Sequence, residues 1–384
     1  MSAIHLITPE YPPHVGGVAD YARQLARALA EAGEEVYVWC PDEGQGDPRD
    51  RFAVYPELGR FRAHDLERAE KHLDRFARPR RLLVQWVPHA YGMRSMNVGF
   101  CLWLWKRARG GDQIELMVHE PYLAFWEGTW RQTVVAAVHR LMTIILLRSA
   151  RRVWFSIPAW EPMWKPYALG RSVPFAWLPI PSSVGPADPG RVAAMRSKLG
   201  AKSKCVAGTF GTYGSLIRPL LFGVLPEILR QADAPHVKLI GAGSLEFLDA
   251  FVERYPDHRA AVSATGLVSD ADLAAHISAC DLLIEPYPDG ISSRRSSAMG
   301  GLSLGIPLVT TLGRLSEPFW SDSGSVRLSD AGNDRALAAQ AMDLVRHPEE
   351  RKRLGEAGRA FYRRMFDMSR TVDAIRGAGP GKAA

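Results

Sequence analysis

The feature that most constrains this chain is an alternation that runs through its first part and then starts again. Residues 4–8 (IHLIT), 35–40 (EVYVWC), 82–87 (LLVQWV) and 116–118 (LMV) are short apolar runs, separated by longer stretches of mixed polarity. Between the first two runs a Pro/Gly loop, residues 9–17, precedes Val18, Tyr21, Ala22, Leu25, Ala28 and Leu29. Their spacing is that of one helix face, and Gly33 stops the helix. Fully apolar strands that alternate with helices predict a parallel sheet covered on both faces. The same pattern restarts with residues 206–210, 237–240, 264–267, 282–285 and 308–310. Residues 178–191 (LPIPSSVGPADPGR) lie between the two series and read as a linker. The expected division is 1–180, 181–365 and a C-terminal segment 366–384. That last segment is expected to pack back on the first domain and to end in a frayed tail from Gly377 onward.

Bulk properties agree with two domains. A chain of 384 residues, 47% of them hydrophobic, exceeds the roughly 250 to 300 residues at which one core usually splits. Its net charge of +7 favours an anionic partner: a nucleotide phosphate, an anionic lipid surface or nucleic acid. Cys40, Cys101, Cys205 and Cys280 are far apart and form no C-x-x-C pair, so neither a disulfide framework nor a zinc knuckle is expected. Such cysteines suit a reducing cytosol. No basic stretch followed by an apolar core opens the chain, so export by the usual route is not expected. The apolar stretch 134–147 is interrupted by His139 and Arg140 and falls short of the roughly 20 residues that a spanning helix needs.

Three stretches carry candidate chemistry. Gly16 and Gly17 lie between the first strand and the first helix, where a backbone without Cβ atoms can approach a phosphate, or where a tight turn simply needs them. Residues 208–214 (GTFGTYG), with Arg218 beyond, follow a strand in the second half and resemble a phosphate cradle, although no Gly-Lys-Ser/Thr follows as in a P-loop. Residues 285–301 (EPYPDGISSRRSSAMGG) read as strand end, polar loop and helix start with serine caps. Arg294 and Arg295 at that helix start would complement a diphosphate by charge and by oriented N–H donors; a solvated basic turn is the plainer alternative. Strand ends of two doubly wound sheets would meet at a central cleft, where open α/β sheets bind ligands.

Taken in order, VGGVADYARQLARALAEAGEEVYVW, LMVHEPY, KLIGAGS, SATGLVSDADLAAHISACDLLIEPYPDGIS and AMGGLSLGIPLVTT resemble the family 4 type of GT-B glycosyltransferases over nearly the whole chain. The resemblance implies two Rossmann-like domains facing a cleft, and transfer of a sugar from a nucleoside diphosphate to an acceptor with retention and without a required metal or other cofactor. It places Gly16 and Gly17 near the donor phosphates, His119 near the donor sugar and Gly211 at the opening of the C-terminal phosphate loop. The family's two glutamates, seven residues apart, fall on Asp289 and Ser297: the first carboxylate is shortened and the second is a hydroxyl. The family's basic pair falls on Thr212 and Ile217, so Arg218, Arg294 and Arg295 are expected to take over the diphosphate charge. His119 and Asp289 are thus the candidate catalytic residues. Donor contacts are expected from Gly16, Gly17, Gly211, Thr212, Arg218, Gly290, Ile291, Ser292, Ser293, Arg294, Arg295 and Ser297, and an acceptor contact from Glu120.

Other signals are weaker. Asp270-Ala-Asp272 has the form of a metal-binding D-x-D but precedes a helical run and reads as a helix start; His119-Glu120 lacks the second histidine of a zinc motif. Tryptophans 103, 105, 126 and 130 interleave with Lys106, Arg107, Arg109, Arg131, Arg140, Arg148, Arg151 and Arg152. That mixture suits a membrane interface, or core tryptophans with solvated arginines; no motif for nucleic acid accompanies it. The expected partners are a UDP- or GDP-linked sugar and a glycan or lipid-linked acceptor, met in the cytoplasm or on the cytoplasmic face of an anionic membrane. A nucleotide-sugar-binding or scaffold subunit that has lost catalysis is the rival expectation, since Ser297 and the displaced basic residues permit it.

Overall fold

The computed structural model describes residues 3–14, 16–126, 128–198 and 205–377. The expected frayed tail beyond Gly377 lies outside them. The chain forms two units, one of residues up to 179 together with those from 368 onward, the other of residues 180–367.

Unit 1 runs β1 (Ile4–Ile7), α1 (Gly17–Glu31), β2 (Val36–Trp39), β3 (Ala53–Tyr55), α2 (Ala63–Leu73), β4 (Arg81–Trp86), α3 (Val98–Arg109), β5 (Gln113–Val118), α4 (Trp130–Ser149), β6 (Ala150–Phe155), α5 (Trp160–Trp164) and β7 (Phe175–Trp177). Its sheet is wholly parallel, in the order β3-β2-β1-β4-β5-β6-β7. Ile4 pairs with Val36 on one side and Arg81 on the other. Leu6, Val38, Leu82, Val84, Ile114, Leu116 and Val153 are buried, as strands covered on both faces require. Strands β3, β6 and β7 were not legible in the sequence. The first and last have three residues each, and β6 carries Arg151 and Arg152 near its start on an otherwise apolar run.

Unit 2 runs α6 (Pro189–Lys198), β8 (Val206–Phe210), α7 (Arg218–Leu229), β9 (His236–Ile240), α8 (Ser244–Arg254), β10 (Val262–Ala264), α9 (Asp270–Ser278), β11 (Leu282–Glu285), α10 (Ser296–Leu304), β12 (Leu308–Leu312), α11 (Phe319–Asp322), β13 (Arg327–Asp330), α12 (Asp334–Arg346) and α13 (Pro348–Met365). The sheet, again parallel, has the order β10-β9-β8-β11-β12-β13. Its core joins Leu221, Val224, Leu225 and Ile228 of α7 to Phe247 and Phe251 of α8 and to Leu239, Leu282 and Val309 of the strands.

Two expectations shift, and a third, the helix start at Asp270, holds. The strand expected at 264–267 lies at Val262–Ala264, because Gly266 adopts φ +67° and turns the chain out of the sheet. The first residues of the stretch 178–191 are no free linker. Ile180 donates to the Ser293 carbonyl at 2.8 Å, the Ser182 N–H to the Tyr362 hydroxyl at 3.0 Å, and both residues are buried. Helix α9 is capped by Ser269, whose hydroxyl accepts from the Asp272 N–H, so Asp270 and Asp272 form its acidic first turn.

After α13 the chain returns to unit 1 as α14 (Met368–Arg376), which packs against α1. Arg376 pairs with Glu34 at 2.8 Å, and the Arg81 guanidinium donates to the Ile375 carbonyl at 2.6 Å.

Candidate functional site

In an open parallel sheet, ligands bind beyond the carboxyl ends of the strands where the order reverses. In unit 2 that point lies between β8 and β11, since the chain builds β9 and β10 on one side and β12 and β13 on the other.

Beyond β8, Tyr213 takes φ +53° and its hydroxyl donates to the Thr209 carbonyl while accepting from the Ile240 N–H, both at 2.8 Å. The 241–243 turn then seats against the same loop. A Cβ on Gly241 would lie 2.5 Å from the Gly211 carbonyl oxygen, and one on Gly243 would lie 2.7 Å from that of Thr212. The β8 loop is therefore held by backbone contacts, with Gly211 half-buried and Thr212 exposed. Gly208 belongs to the strand instead: a side chain there would strike Leu283 and Cys280. Arg218 opens α7 with its guanidinium 5.8 Å from the centroid of the Phe247 ring on α8.

The loop beyond β11 is fixed by its neighbour β12. The Tyr287 N–H donates to Thr311 Oγ1 at 2.8 Å, the Thr311 hydroxyl returns to the Tyr287 carbonyl at 2.7 Å, and the Ile291 N–H reaches the Thr311 carbonyl at 2.7 Å. Gly290 has φ +85°, and a Cβ on it would sit 2.2 Å from the Gly313 nitrogen. That close approach presents Asp289 at the tip of the loop.

The Asp289 carboxylate receives Arg294 Nη2 at 2.7 Å on one oxygen and Arg295 Nη2 on the other. Burial pulls its carboxyl upward, yet the charges and hydrogen bonds of Arg295 and Arg294 outweigh it and leave the pKa below the ordinary carboxylate value. Two guanidiniums against one carboxylate leave the cluster with a net positive charge. The side chains of Asp289, Arg294 and Arg295 remain 12%, 21% and 19% exposed, enough for a ligand to reach them.

Beneath this cluster lies a carboxyl that sequence reasoning did not single out. Glu285 ends β11, is 4% exposed, and accepts from the Phe210 N–H at 2.6 Å. The Tyr287 hydroxyl lies 3.4 Å from Glu285 Oε2 and 2.7 Å from Ser297 Oγ, and the Arg295 guanidinium covers the Tyr287 ring at 4.5 Å. Burial pushes the Glu285 pKa up to about 8, so it is mostly uncharged at neutral pH. The available signal was a carboxylate closing an otherwise apolar strand, LLIE.

Helix α10 begins directly after Arg295, and no serine side chain caps it, contrary to the serine caps expected there. Ile291, Ser292 and Ser293 are buried. Ser293 uses its N–H and hydroxyl on the Glu317 carboxylate, which also accepts from Trp320 Nε1 at 2.8 Å. Ser297 is half-buried beside Tyr287.

In unit 1 the strand order reverses between β1 and β4. Gly16, with extended backbone, precedes α1 and leaves its first N–H groups without a side-chain cap, while Gly17 begins the helix. A Cβ on Gly16 would lie 2.7 Å from Glu10 Oε2. His119 follows β5, places Nε2 2.8 Å from Gln85 Oε1 on β4, and meets the Tyr21 ring of α1 edge-on. Burial lowers its pKa to about 4, so the imidazole is neutral at physiological pH. Glu120 pairs with His89 at 2.9 Å, and that bond raises the His89 pKa.

Asp289, Arg294, Arg295 and Ser297 thus come together in unit 2, and Gly16, Gly17 and His119 gather at one end of the unit 1 sheet around α1. Arg218 is turned toward α8. Among the described residues no group of three or more His, Cys, Asp or Glu side chains is arranged to hold a metal ion.

Comparison with known proteins adds two findings. Residues 15–167 match the family model described as Glycosyltransferase Family 4. The whole fold is similar to sucrose-phosphate synthase from Thermosynechococcus elongatus, with TM-score 0.74 and 16% identity over 98% of each chain. It is similar to the Anabaena protein HepE in complex with UDP, with TM-score 0.68 and 15% identity over 98% of this chain and 99% of that one. It is also similar to WaaG, a glycosyltransferase involved in lipopolysaccharide biosynthesis, with TM-score 0.68 and 15% identity over 97% and 100%. No curated protein sequence matches the chain. The protein therefore has the GT-B glycosyltransferase fold over almost its full length and resembles family 4 by sequence over residues 15–167.

Proposed function

We propose that this chain is a glycosyltransferase that moves a sugar from a UDP- or GDP-linked donor to a glycan or lipid-linked acceptor, with retention and without a metal. The observation that carries the reading is the cluster of Asp289, Arg294 and Arg295, net positive and partly open, at the strand-order reversal of unit 2. A leaving diphosphate gains negative charge as the glycosidic bond breaks, and two guanidiniums held by a carboxylate meet that charge without reorganising. The Thr212 N–H of the β8 loop is the complementary donor, since the Gly211 N–H is taken by the Ile240 carbonyl at 3.1 Å. Asp289 also keeps lone pairs for hydroxyls of the donor sugar. In unit 1, neutral His119 is suited to hydrogen-bond a sugar hydroxyl, and Glu120 with His89 to bind the acceptor. That HepE was solved with UDP supports a nucleotide-sugar donor.

A second reading rests on a specific observation: both oxygens of Asp289 are engaged by arginines, and position 297 offers a hydroxyl in place of a carboxylate. A chain of that kind would bind the nucleotide sugar without turning it over. Incubation of the purified protein with UDP- and GDP-sugars and a panel of acceptors separates the two. The enzyme consumes donor; a binder shifts its melting temperature with UDP or GDP and leaves the donor intact.

A further inference from the structure

The interleaved tryptophans and arginines of unit 1 divide by exposure. Trp103 is buried, and Arg107 is buried in ion pairs with Asp74 and Asp112. Trp126 and Trp130 stand out instead, 84% and 73% exposed.

The exposure continues along α4. Trp130, Val134, Ala137 and Leu141 are all exposed, and a spacing of three or four residues puts them on one face of the helix, in line with Arg148. The opposite face supplies Ala136, Met142, Leu146 and Leu147 to the core. Both faces of α4 are therefore apolar, and only one is covered by unit 1.

The loop before the helix adds Leu123, Phe125 and Trp126, each exposed. It is tied to α4 by Arg140, whose guanidinium lies 3.6 Å from the Phe125 ring centroid, 4.4 Å from that of Tyr122, and donates to the Leu123 carbonyl at 2.9 Å. Trp126 takes φ +64°, a conformation sparsely populated for so large a side chain, and carries its indole away from the unit. Thr129 closes the loop by capping α4 in a box with Gln132.

The charge along this surface has one sign. α4 carries Arg131, Arg140 and Arg148 and no Asp or Glu; Glu127 is the single acidic residue between Leu123 and Ser149. Neighbouring α3, which packs on α4, adds exposed Leu102, Trp105 and Arg109, with Arg109 over the Trp105 ring, while its Lys106 is paired with Glu70 at 3.2 Å. Exposed indoles beside long cationic side chains, with an apolar stripe lying along the surface, form the chemistry that seats at the boundary between lipid headgroups and acyl chains. No helix of the described chain is long and apolar enough to cross a membrane.

We infer that the loop of Leu123 to Trp126 and the outer face of α4 dock unit 1 on an anionic lipid bilayer, Trp126 and Trp130 entering the interface and Arg131 and Arg148 meeting the headgroups. A second protein or a second copy of the chain would favour an apolar surface ringed by both signs of charge; here the charge is almost wholly basic, which selects an anionic lipid surface.

Co-sedimentation of the full chain with phosphatidylcholine vesicles, with and without phosphatidylglycerol, tests the assignment. Binding to the anionic vesicles alone, weakened by salt, is expected. The pair Trp126→Ala and Trp130→Ala should lower partitioning on the order of tenfold or more, because the buried indole area is lost. Arg131→Gln with Arg148→Gln should lower it about fivefold per charge. These side chains are exposed, so an unchanged melting temperature and an unchanged affinity for UDP or GDP certify folded variants. The inference is overturned if anionic vesicles fail to bind the wild-type chain at low salt. Binding by the tryptophan pair as tight as wild type overturns it too. So does a wild-type dimer that the tryptophan pair dissociates while vesicle binding stays undetectable.

Discussion

The buried carboxyl at the end of β11 gives a sharp test of the unit 2 site. Glu285 is 4% exposed, and burial raises its pKa from 4.5 to about 8. Between those two values the folded chain holds a proton that the unfolded chain has released, so stability falls as pH rises through the window, by about 1.4 kcal/mol per pH unit. At pH 7 the accumulated penalty is roughly 3 kcal/mol, an upper-end figure because relaxation around the carboxylate softens it. Glu285→Gln keeps the shape, keeps an acceptor for the Phe210 N–H and removes the titration. It should therefore leave stability near pH 5 little changed and raise it progressively toward pH 8. For a unit of this size the gain at pH 8 amounts to roughly 5 to 15 °C in Tm. Thermal unfolding of both chains at several pH values between 5 and 9 is the assay. Two profiles that stay parallel across that range would refute the reasoning, because the wild-type carboxyl would then ionise in the folded state as easily as in the unfolded one.

Other perturbations follow from the same geometry. Arg294→Glu should weaken binding of UDP or GDP at least tenfold by calorimetry, since it removes a charge-assisted contact and repels the diphosphate; unchanged affinity would reject the role given to the cluster. Gly290→Ala forces a side chain into φ +85° and onto the Gly313 nitrogen 2.2 Å away, so it should cost about 3 kcal/mol or more in denaturant unfolding and displace Asp289; a loss below 1 kcal/mol would show that the loop gives way. His119, with a pKa lowered from 6.5 to about 4, binds fewer protons folded than unfolded in that window, so its contribution to stability is lost as pH falls. His119→Gln should flatten the acid limb of the Tm profile there, and an identical limb would contradict a half-buried neutral imidazole.

Much of the scaffold was legible because fully buried parallel strands leave a coarse signature. Residues 206–210 and 282–285 form strands at the expected positions, and 4–8, 82–87 and 308–310 lie within a residue or two of them. The misses have physical causes. Edge strands such as β3 and β13 are short and half-exposed, so their side chains need not be apolar. The candidate site was legible as a list of residue types: a basic pair, an acidic residue and glycines at strand ends. What each side chain does was not, because that depends on partners distant in sequence. Ser293 meets Glu317 of a later loop, Glu285 meets the Phe210 backbone across the sheet, and Arg218 turns to Phe247 of α8. A pattern of neighbours along the chain carries no trace of those pairings.

The central claim is that unit 2 holds a nucleoside diphosphate beyond β8 and β11 through Arg294 and Arg295. A crystal structure of the chain with UDP or GDP tests it most directly. The account predicts phosphate oxygens within hydrogen-bond distance of both guanidiniums and of the Thr212 N–H. A diphosphate bound elsewhere on the chain, touching neither arginine, would contradict it.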